Sequence, residues 1–195
     1  WILEEFQDNP EVGIVLKTSK GRGTKIDRKV TENIINQIVK EVRVGPYPRI
    51  HFLHGSMTSS EVASIYRHPK IKALVSLTRG EGYGLPILEA AASDLPVVAT
   101  NWSGHLDFMN LGKFINVDYD MIPIDETRVD GRIFIDGARW ANPIEKDAKK
   151  KMRKLYESYK VPSGWAKSLG QKLRNSLSHE DVCVFWDENF NGLIQ

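Results

Sequence analysis

The chain has 195 residues, which is the length of one domain or of two small ones. Hydrophobic residues make up 41% and charged residues 27%, a composition that excludes a disordered, collagen-like or coiled-coil protein. The net charge of +2 gives no nucleic-acid footprint by itself. A single cysteine, Cys183, excludes an internal disulfide and a CxxC metal site, and it favours a reducing, cytoplasmic location.

The chain starts without Met, directly in the apolar pattern of Trp1–Phe6, and its first residues lack the regions of a signal peptide. Because natural domain boundaries usually fall in polar linkers, we expect the chain to be part of a longer protein. No stretch approaches the roughly 20 apolar residues of a membrane helix, so the sequence predicts no transmembrane segment. Peripheral membrane association of the longer protein stays open.

Short strands and helices are predicted to alternate over the first 118 residues. The predicted strands, short and rich in branched residues, are Val12–Lys17, Ile50–His54, Ile71–Leu77, Pro96–Thr100 and Phe114–Val117. The predicted helices are Trp1–Gln7, Ile26–Val44, Thr58–Arg67 and Pro86–Ser93. Thr58 and Glu61 form a capping-box pattern at the start of the third helix. This alternation predicts an α/β fold, a parallel sheet flanked by helices on both faces.

The pattern changes after Asp118, where residues 119–143 are loop-rich with a hairpin expected near Asp130-Gly131. The predicted helices of this part are Pro143–Tyr159, Ser163–Ser176 and His179–Phe190. We therefore expect one domain, residues 1–195, with a sheet core over 1–118 and a loop-rich and helical C-terminal part over 119–195. The aromatic residues of the last helix are expected in its core or on a face that packs against another part of a longer protein: Phe185, Trp186 and Phe190. Cys183 is expected to be a small buried residue near them.

Four glycine-containing loops follow the predicted strands: Thr18–Lys25, Gly55–Met57, Thr78–Leu85 and Asn101–Gly104. In an open parallel sheet, ligands bind outside the carboxyl ends of the strands. We therefore expect the functional residues in these loops. Neither the spacing of a dinucleotide fingerprint nor that of a P-loop is present in the third loop, which carries the strongest signal.

The glycines of this third loop allow a close backbone approach to a ligand, and Pro86 suits the first turn of the helix that follows. Backbone N–H groups at the start of a helix attract an anion, above all a phosphate. Glu81 lies in the loop, and Glu89 is expected in the first helical turn. Ionised carboxylates accept hydrogen bonds from sugar hydroxyls, so the combination predicts a ligand with both phosphate and sugar. The alternative is a tight strand-to-helix connection without a ligand.

Seven residues separate Glu81 from Glu89, and the run GEGYGLPILEAAASDLPVVATNWSG surrounds them. This run resembles the E-x7-E signature of retaining glycosyltransferases of the GT-B fold, glycosyltransferase family 4 (glycosyl transferases group 1). The resemblance extends from Trp1 to about Asp107 and is looser afterwards, where Trp140–Pro143 and Met152-Arg153 resemble the region after the sheet. It implies a Rossmann-like C-terminal half of a GT-B fold, which binds a nucleotide-sugar donor.

The resemblance implies a role for each matching residue. Glu81 would be the catalytic-site carboxylate, contacting hydroxyls of the transferred sugar, and Glu89 would accept hydrogen bonds from the ribose. The remaining donor-binding positions that it implies, at the sugar and diphosphate, the nucleobase or the border of the cleft, are Gly82, Tyr83, Gly84, Leu85, Gly55, Ser56, Met57, Thr78 and Arg79.

The sequence departs from the family pattern in two places. Members of the family usually begin with a strand and a loop whose Arg/Lys pair neutralises the diphosphate, and both are expected upstream of residue 1. The substitute candidates for phosphate contacts are Lys17, Lys20, Arg22 and Lys25. A paired glycine and a Glu are usual where this chain has Ser103-Gly104-His105-Leu106-Asp107. Of these, Ser103, Gly104 and His105 are weak acceptor-side candidates. The alternative for His105 is a helix cap or a surface residue.

The implied reaction is transfer of a sugar, of hexosyltransferase type, from a UDP-, GDP- or ADP-linked donor with retention of configuration. No cofactor or metal is expected, and the DxD spacing of Asp118-Tyr119-Asp120 is interpreted as coincidence. Alone, the fragment is expected to be inactive, because an N-terminal GT-B domain would complete the cleft. The alternatives are a non-catalytic nucleotide- or carbohydrate-binding module, which need not keep both glutamates, and a GT-B sugar-nucleotide epimerase relative. An epimerase would need further acid/base residues, for which His105 is the only candidate found.

Overall fold

The computed structural model describes residues 1–18, 21–42 and 45–190. The predicted phosphate contact Lys20 and the predicted end of the second helix lie outside the described residues. The chain divides into two compact units, Trp1–Val62 and Ala63–Gln195, and each is considered by itself. Both are built from strands and helices, as the sequence predicts, and no helix of the described residues is long and apolar enough to span a membrane.

The first unit contains a parallel pair of strands joined by a helix. Its elements are α1 (Ile2–Glu5), β1 (Gly13–Thr18), α2 (Lys25–Val42) and β2 (Arg49–His54). The two strands run in parallel from the pair Gly13 and Arg49 to the pair Thr18 and His54. Because β1 and β2 end in register, the loops that follow them leave the same edge of this sheet.

Helix α3 (Ser59–Tyr66) starts with the predicted capping box. The Thr58 backbone N–H donates to Glu61 Oε2 at 2.7 Å, and the Glu61 N–H donates to Thr58 Oγ1 at 3.3 Å. These reciprocal bonds satisfy two of the amide groups that a helix start leaves without partners. The prediction of this helix start is confirmed.

The second unit begins with a three-stranded parallel sheet in the order β3-β4-β5. Its elements are β3 (Leu74–Ser76), α4 (Leu85–Ala92), β4 (Val97–Thr100), α5 (Leu106–Met109) and β5 (Ile115–Val117). Every residue of the central strand β4 is buried, because it has a neighbour on each side and helices cover it. The buried hydrophobic core consists of Ile87, Ala90, Ala91, Leu95, Val97, Ala99, Phe108, Met109, Leu169 and Leu173.

An antiparallel hairpin follows this sheet, formed by β6 (Tyr119–Pro123) and β7 (Arg139–Pro143). The expected turn is present: Asp130 Oδ1 accepts the backbone N–H groups of Arg132, Ile133 and Phe134 at 2.9, 2.9 and 3.0 Å. The strands themselves lie in the stretch that the sequence predicts to be loop-rich, and a short 3-10 helix, Glu126–Arg128, lies between them. Polar and proline residues interrupt the apolar/polar alternation in both strands, so this pattern does not indicate them.

Three helices complete the chain: α6 (Glu145–Glu157), α7 (Lys160–Ser176) and α8 (His179–Phe190). Helix α7 starts before the predicted Ser163, because Pro162 lies in the first turn, where its missing N–H breaks no hydrogen bond. The prediction that Cys183 is buried is wrong, because this residue is exposed. Phe185, Trp186 and Phe190 are 60%, 52% and 46% exposed, which excludes the first of their two alternatives, a position in the core of this chain. The second alternative, a face that packs against another part of a longer protein, stays a prediction.

Candidate functional site

The loop between β3 and α4 turns sharply at Gly84, which caps the helix with a φ of +86°. This left-handed conformation favours glycine. A Cβ added at Gly84 would also lie 3.0 Å from Glu81 Cγ and 3.0 Å from His105 Cβ. The glycine of the aromatic-Gly-Leu-Pro core therefore has a structural reason, since a side chain at this turn would be both strained and crowded.

The main chain of Glu81 is held by the loop that follows β4. Ser103 Oγ accepts the backbone N–H of Glu81 at 2.8 Å and donates to the backbone carbonyl of Glu81 at 2.7 Å. The Gly104 N–H also donates to that carbonyl at 3.2 Å. A side chain at Gly104 would collide with the carbonyl oxygen of Gly82, so the two loops meet backbone to backbone. We refer to these contacts of Ser103 and Gly104 as the Glu81 brace.

The two motif carboxylates have no partner within the part of the chain that the structure describes. Glu81 is half-buried and Glu89 is exposed, and neither side chain makes a hydrogen bond or an ion pair with a described residue. Helix α4 starts at Leu85, so Glu89 lies one turn beyond the first turn that the sequence predicts for it. Burial first, and then the negative charge of Glu89, raise the pKa of Tyr66 above its ordinary value. Both carboxylates can accept hydrogen bonds from a ligand.

Backbone donors are also available at the start of α4. No hydrogen bond among the described residues uses the N–H groups of Tyr83, Gly84 or Leu85, and no side chain caps the helix. Tyr83 packs against Phe108 with 5.2 Å between ring centroids and is 42% exposed. Unpaired N–H groups at the positive end of a helix dipole can bind an anion. Donors for an anion and acceptors for hydroxyls thus lie on the same loop and helix.

Arg79 is held against the hairpin by three contacts. Its Nε donates to Asn142 Oδ1 at 3.0 Å, its guanidinium lies 4.6 Å from the centroid of the Trp140 ring, and its carbonyl accepts the Ala141 N–H at 3.1 Å. Trp140 is supported in turn by an edge contact with Phe134 at 6.0 Å. The sequence places Arg79 at the border of the cleft but gives no role to Trp140 or Asn142. Their only sequence signal is the resemblance of Trp140–Pro143 to a family segment.

His105 is fully buried, so the surface alternative is wrong. The residue does lie at the N-cap position of α5, but its side chain makes no capping hydrogen bond. Its Nε2 lies 2.8 Å from the Thr100 carbonyl oxygen, which can only accept, so Nε2 carries the proton. The other ring nitrogen, Nδ1, has no partner, and neither do the buried hydroxyls of Thr100 and Thr78. The ring therefore supports the base of the loop from inside the unit and, in this arrangement, is not presented to a ligand.

The first unit places its candidate residues at the carboxyl edge of β1 and β2. Gly55 has a φ of +98° directly after β2, Ser56 is exposed, and Met57 is half-buried. A Cβ added at Gly23 would lie 3.6 Å from the Gly55 Cα, so the two loops of this unit are neighbours. Lys17 is an exposed residue of β1, within the strand that the sequence predicts.

The basic loop before α2 is organised by one carboxylate. Asp27 Oδ2 accepts the Thr24 hydroxyl at 2.8 Å and the N–H groups of Thr24 and Arg22 at 3.0 and 3.1 Å. These hydrogen bonds, those from Thr24 first, lower the pKa of Asp27. The side chains of Arg22 and Lys25 are exposed. Across the part of the chain that is described, no three His, Cys, Asp or Glu side chains form a group that could hold a metal ion.

Residues 23–119 match the family model described as glycosyl transferases group 1. The matched segment includes both motif carboxylates, the Glu81 brace and the loop after β2. A protein named sucrose synthase from Melioribacter roseus is 31% identical over 119 residues. That match covers 55% of this chain and 14% of the relative, so the chain corresponds to a small part of that protein. Residues 23–119 are thus similar to glycosyl transferases group 1, and the α/β fold with its parallel strands is consistent with a Rossmann-like GT-B domain.

Proposed function

We propose that this chain is the C-terminal, donor-binding domain of a retaining glycosyltransferase of family 4, which transfers a sugar from a nucleoside diphosphate sugar to an acceptor. The observation that carries the proposal is one loop and helix with two unpartnered carboxylates and three unpaired backbone N–H groups among the described residues. A ligand with hydroxyl donors and an anionic diphosphate would satisfy both sets. The match to glycosyl transferases group 1 over residues 23–119 supports the same donor class.

In this proposal, Glu81 accepts hydrogen bonds from hydroxyls of the transferred sugar, and Glu89 accepts them from the ribose. The N–H groups of Tyr83, Gly84 and Leu85 face the diphosphate. Departure of the diphosphate is then assisted by preorganised dipoles and cations rather than by a metal ion, because charge that develops in the transition state is stabilised by groups already in place. Arg79, held by Trp140 and Asn142, is one cation at the border of this loop.

Gly55, Ser56 and Met57 are proposed beside the nucleobase, with Thr78 bordering the donor cleft. Lys17 is a proposed phosphate contact, and Ser103 and Gly104 are proposed on the acceptor side. His105 is not proposed there, because its ring is fully buried. The partner of the chain is proposed to be an N-terminal GT-B domain that contributes the acceptor site and the Arg/Lys pair. Activity of hexosyltransferase type would then need both domains, in a cytoplasmic protein.

The test is calorimetry on the purified chain with UDP, GDP and ADP, each with and without an attached sugar. Binding of at least one nucleotide is expected, and failure of all of them would overturn the donor-site proposal. Glu89→Gln should weaken the nucleotide and the nucleotide sugar alike, by about tenfold for one lost charged hydrogen bond. Glu81→Gln should weaken only the form that carries a sugar.

Glu188→Gln is the matched control, because Glu188 is an exposed carboxylate on α8 with no contact to the loop. Its affinities should equal those of the unaltered chain. Equal effects of Glu81→Gln and Glu89→Gln on both ligand forms would contradict the division of roles. Nucleotide binding without any effect of the attached sugar would favour the non-catalytic module instead.

A further inference from the structure

Ser103 has a φ of +98°, a backbone conformation that favours glycine. Asp94, at +61°, is the other residue with a side chain and a positive φ within the described ranges. Conformations of this kind persist only where the surrounding structure enforces them, and they are enriched at functional sites. The contacts of the Ser103 side chain indicate what enforces this one.

The Ser103 hydroxyl bonds to both backbone groups of a single residue, Glu81. It accepts the Glu81 N–H at 2.8 Å and donates to the Glu81 carbonyl at 2.7 Å, across 22 positions of sequence. A glycine at position 103 would adopt the same φ without strain but would leave the Glu81 N–H without this acceptor. The Ser103 hydroxyl therefore supplies hydrogen bonds to the Glu81 backbone that glycine, although unstrained at this φ, cannot supply.

The brace holds the main chain of Glu81 while its carboxylate remains unpartnered among the described residues. The stem of the side chain passes close to Gly84, since a Cβ added there would lie 3.0 Å from Glu81 Cγ. A fixed backbone restricts where the carboxylate can reach. Such preorganisation lowers the ordering cost when a ligand binds.

We propose that Ser103 is a positioning residue for Glu81: its hydroxyl fixes the backbone of residue 81 so that the carboxylate is already directed toward the sugar of the donor. This inference rests on the proposed function for the identity of the ligand, but the brace itself is independent of it. Ser103 acts through Glu81 and does not itself touch the reacting atoms. Its role differs from a cap of α5, for which the Ser103 carbonyl, not the side chain, accepts the Leu106 N–H at 3.0 Å.

The test compares Ser103→Ala and Ser103→Gly in the full chain by two measurements. The first is amide hydrogen exchange at Glu81, observed by NMR. The second is the ratio of dissociation constants for a nucleoside diphosphate and the corresponding nucleotide sugar. In both variants the Glu81 amide should exchange at least about tenfold faster, and the preference for the sugar-bearing form should decrease by about two- to tenfold, the effect of one lost hydrogen bond. Affinity for the bare diphosphate should not change.

The two substitutions separate bracing from backbone strain. Ser103→Gly removes the strain and the hydroxyl together, so its melting temperature should be at or above that of Ser103→Ala, while both lose the sugar preference to the same extent. If Ser103→Gly keeps the preference of the unaltered chain, the hydroxyl does not position Glu81 and the inference is overturned. Ser178→Ala, which removes a capping hydroxyl from α8, is the control and should alter neither measurement.

The outcomes distinguish this inference from the proposed function. If the unaltered chain prefers the sugar-bearing ligand and Glu81→Gln abolishes that preference, but the Ser103 variants do not reduce it, the inference is overturned and the donor site stands. If the unaltered chain shows no preference, the proposed function is overturned in its sugar-binding part. In that case, hydrogen exchange at the Glu81 amide still tests whether Ser103 holds the Glu81 main chain. An unchanged exchange rate in Ser103→Ala would overturn this role of Ser103.

Discussion

The loop that carries Glu81 and the basic loop before α2 are both rich in glycine, but they are held in different ways. The Glu81 loop is fixed by residues 22 to 63 positions away in sequence, among them Ser103 and Asn142. The basic loop is fixed by Asp27, which lies within five positions of the groups that it bonds. Because residues from other segments bond the main chain of the Glu81 loop, the Glu81 carboxylate is not needed to hold the loop and stays available to a ligand. A loop with local supports depends on its own polar residues.

Gly104→Ala should have the largest effect, because a methyl group would collide with the carbonyl oxygen of Gly82 where the two loops meet. A clash with backbone has no rotamer that relieves it, so we expect a loss of about 3 kcal/mol or more in the free energy of unfolding. Chemical denaturation measures this loss. Gly80→Ala is the control, since nothing lies within 4 Å of a Cβ there, and its effect should stay within about 0.5 kcal/mol.

Gly84→Ala and Gly55→Ala compare the same backbone conformation in the Glu81 loop and in the loop after β2. Both positions have a positive φ, +86° and +98°, which costs a residue with a side chain about 1–2 kcal/mol. Only Gly84 is also crowded, by Glu81 and His105, so Gly84→Ala should be the more destabilising by about 1 kcal/mol. Equal melting temperatures for the two variants would contradict the tighter packing of the Glu81 loop.

Arg79→Ala should have a moderate effect, because it removes the hydrogen bond to Asn142 and the stacking on Trp140. We expect a loss of about 1 kcal/mol in the free energy of unfolding. A double-mutant cycle with Asn142→Ala should show a coupling of about 0.5 kcal/mol, as for residues in direct contact. Arg132→Ala, at an exposed position in the connection between β6 and β7, should be neutral, and additive effects of Arg79→Ala and Asn142→Ala would exclude the coupling.

Asp27→Asn should have the smallest effect and should depend on pH. Hydrogen bonds from Thr24 and Arg22 lower the pKa of Asp27 in the folded chain below its ordinary value of 3.8. A lowered folded pKa stabilises the fold above the unfolded pKa, and this contribution is lost as the pH falls through the folded pKa. The difference in melting temperature between the unaltered chain and Asp27→Asn should therefore be present at pH 7 and shrink below pH 4. A difference that grows on acidification would contradict the assignment.

The sequence allowed prediction of those elements whose signals are local. Thr58 and Glu61 lie three residues apart, so their capping box could be recognised before the structure and is confirmed at 2.7 and 3.3 Å. Strand β4 is a continuous apolar run, and its complete burial follows from that pattern. The spacing of Glu81 and Glu89 identified the loop that the family match includes. Each of these signals fits within about ten residues.

Other features escaped prediction because they depend on residues far apart in the chain. The sequence predicts a hairpin near Asp130-Gly131 but not the positions of its strands, because β6 and β7 stabilise each other by pairing and neither has a strong pattern of its own. The burial of His105 follows from its bond to the Thr100 carbonyl beneath the loop, which no property of the histidine itself indicates. The aromatic residues of α8 belong to an apolar pattern, yet they are exposed. Such a pattern indicates which helix face could be buried, but not whether another segment covers that face.

By itself, the sequence determined an α/β chain with parallel strands, a glycine-rich turn into α4, and a pair of glutamates on that turn and helix. Hydrophobic periodicity, helix caps and the tolerance of glycine for positive φ are short-range properties, and they are sufficient for this much. Only the tertiary structure decided that Ser103 and Gly104 hold the Glu81 main chain, that Trp140 and Asn142 hold Arg79, and that the two carboxylates are left unpartnered among the described residues. The physical reason is that hydrogen bonds between loops require two segments that are distant in sequence to lie side by side, and the packing of the whole unit determines which segments do so.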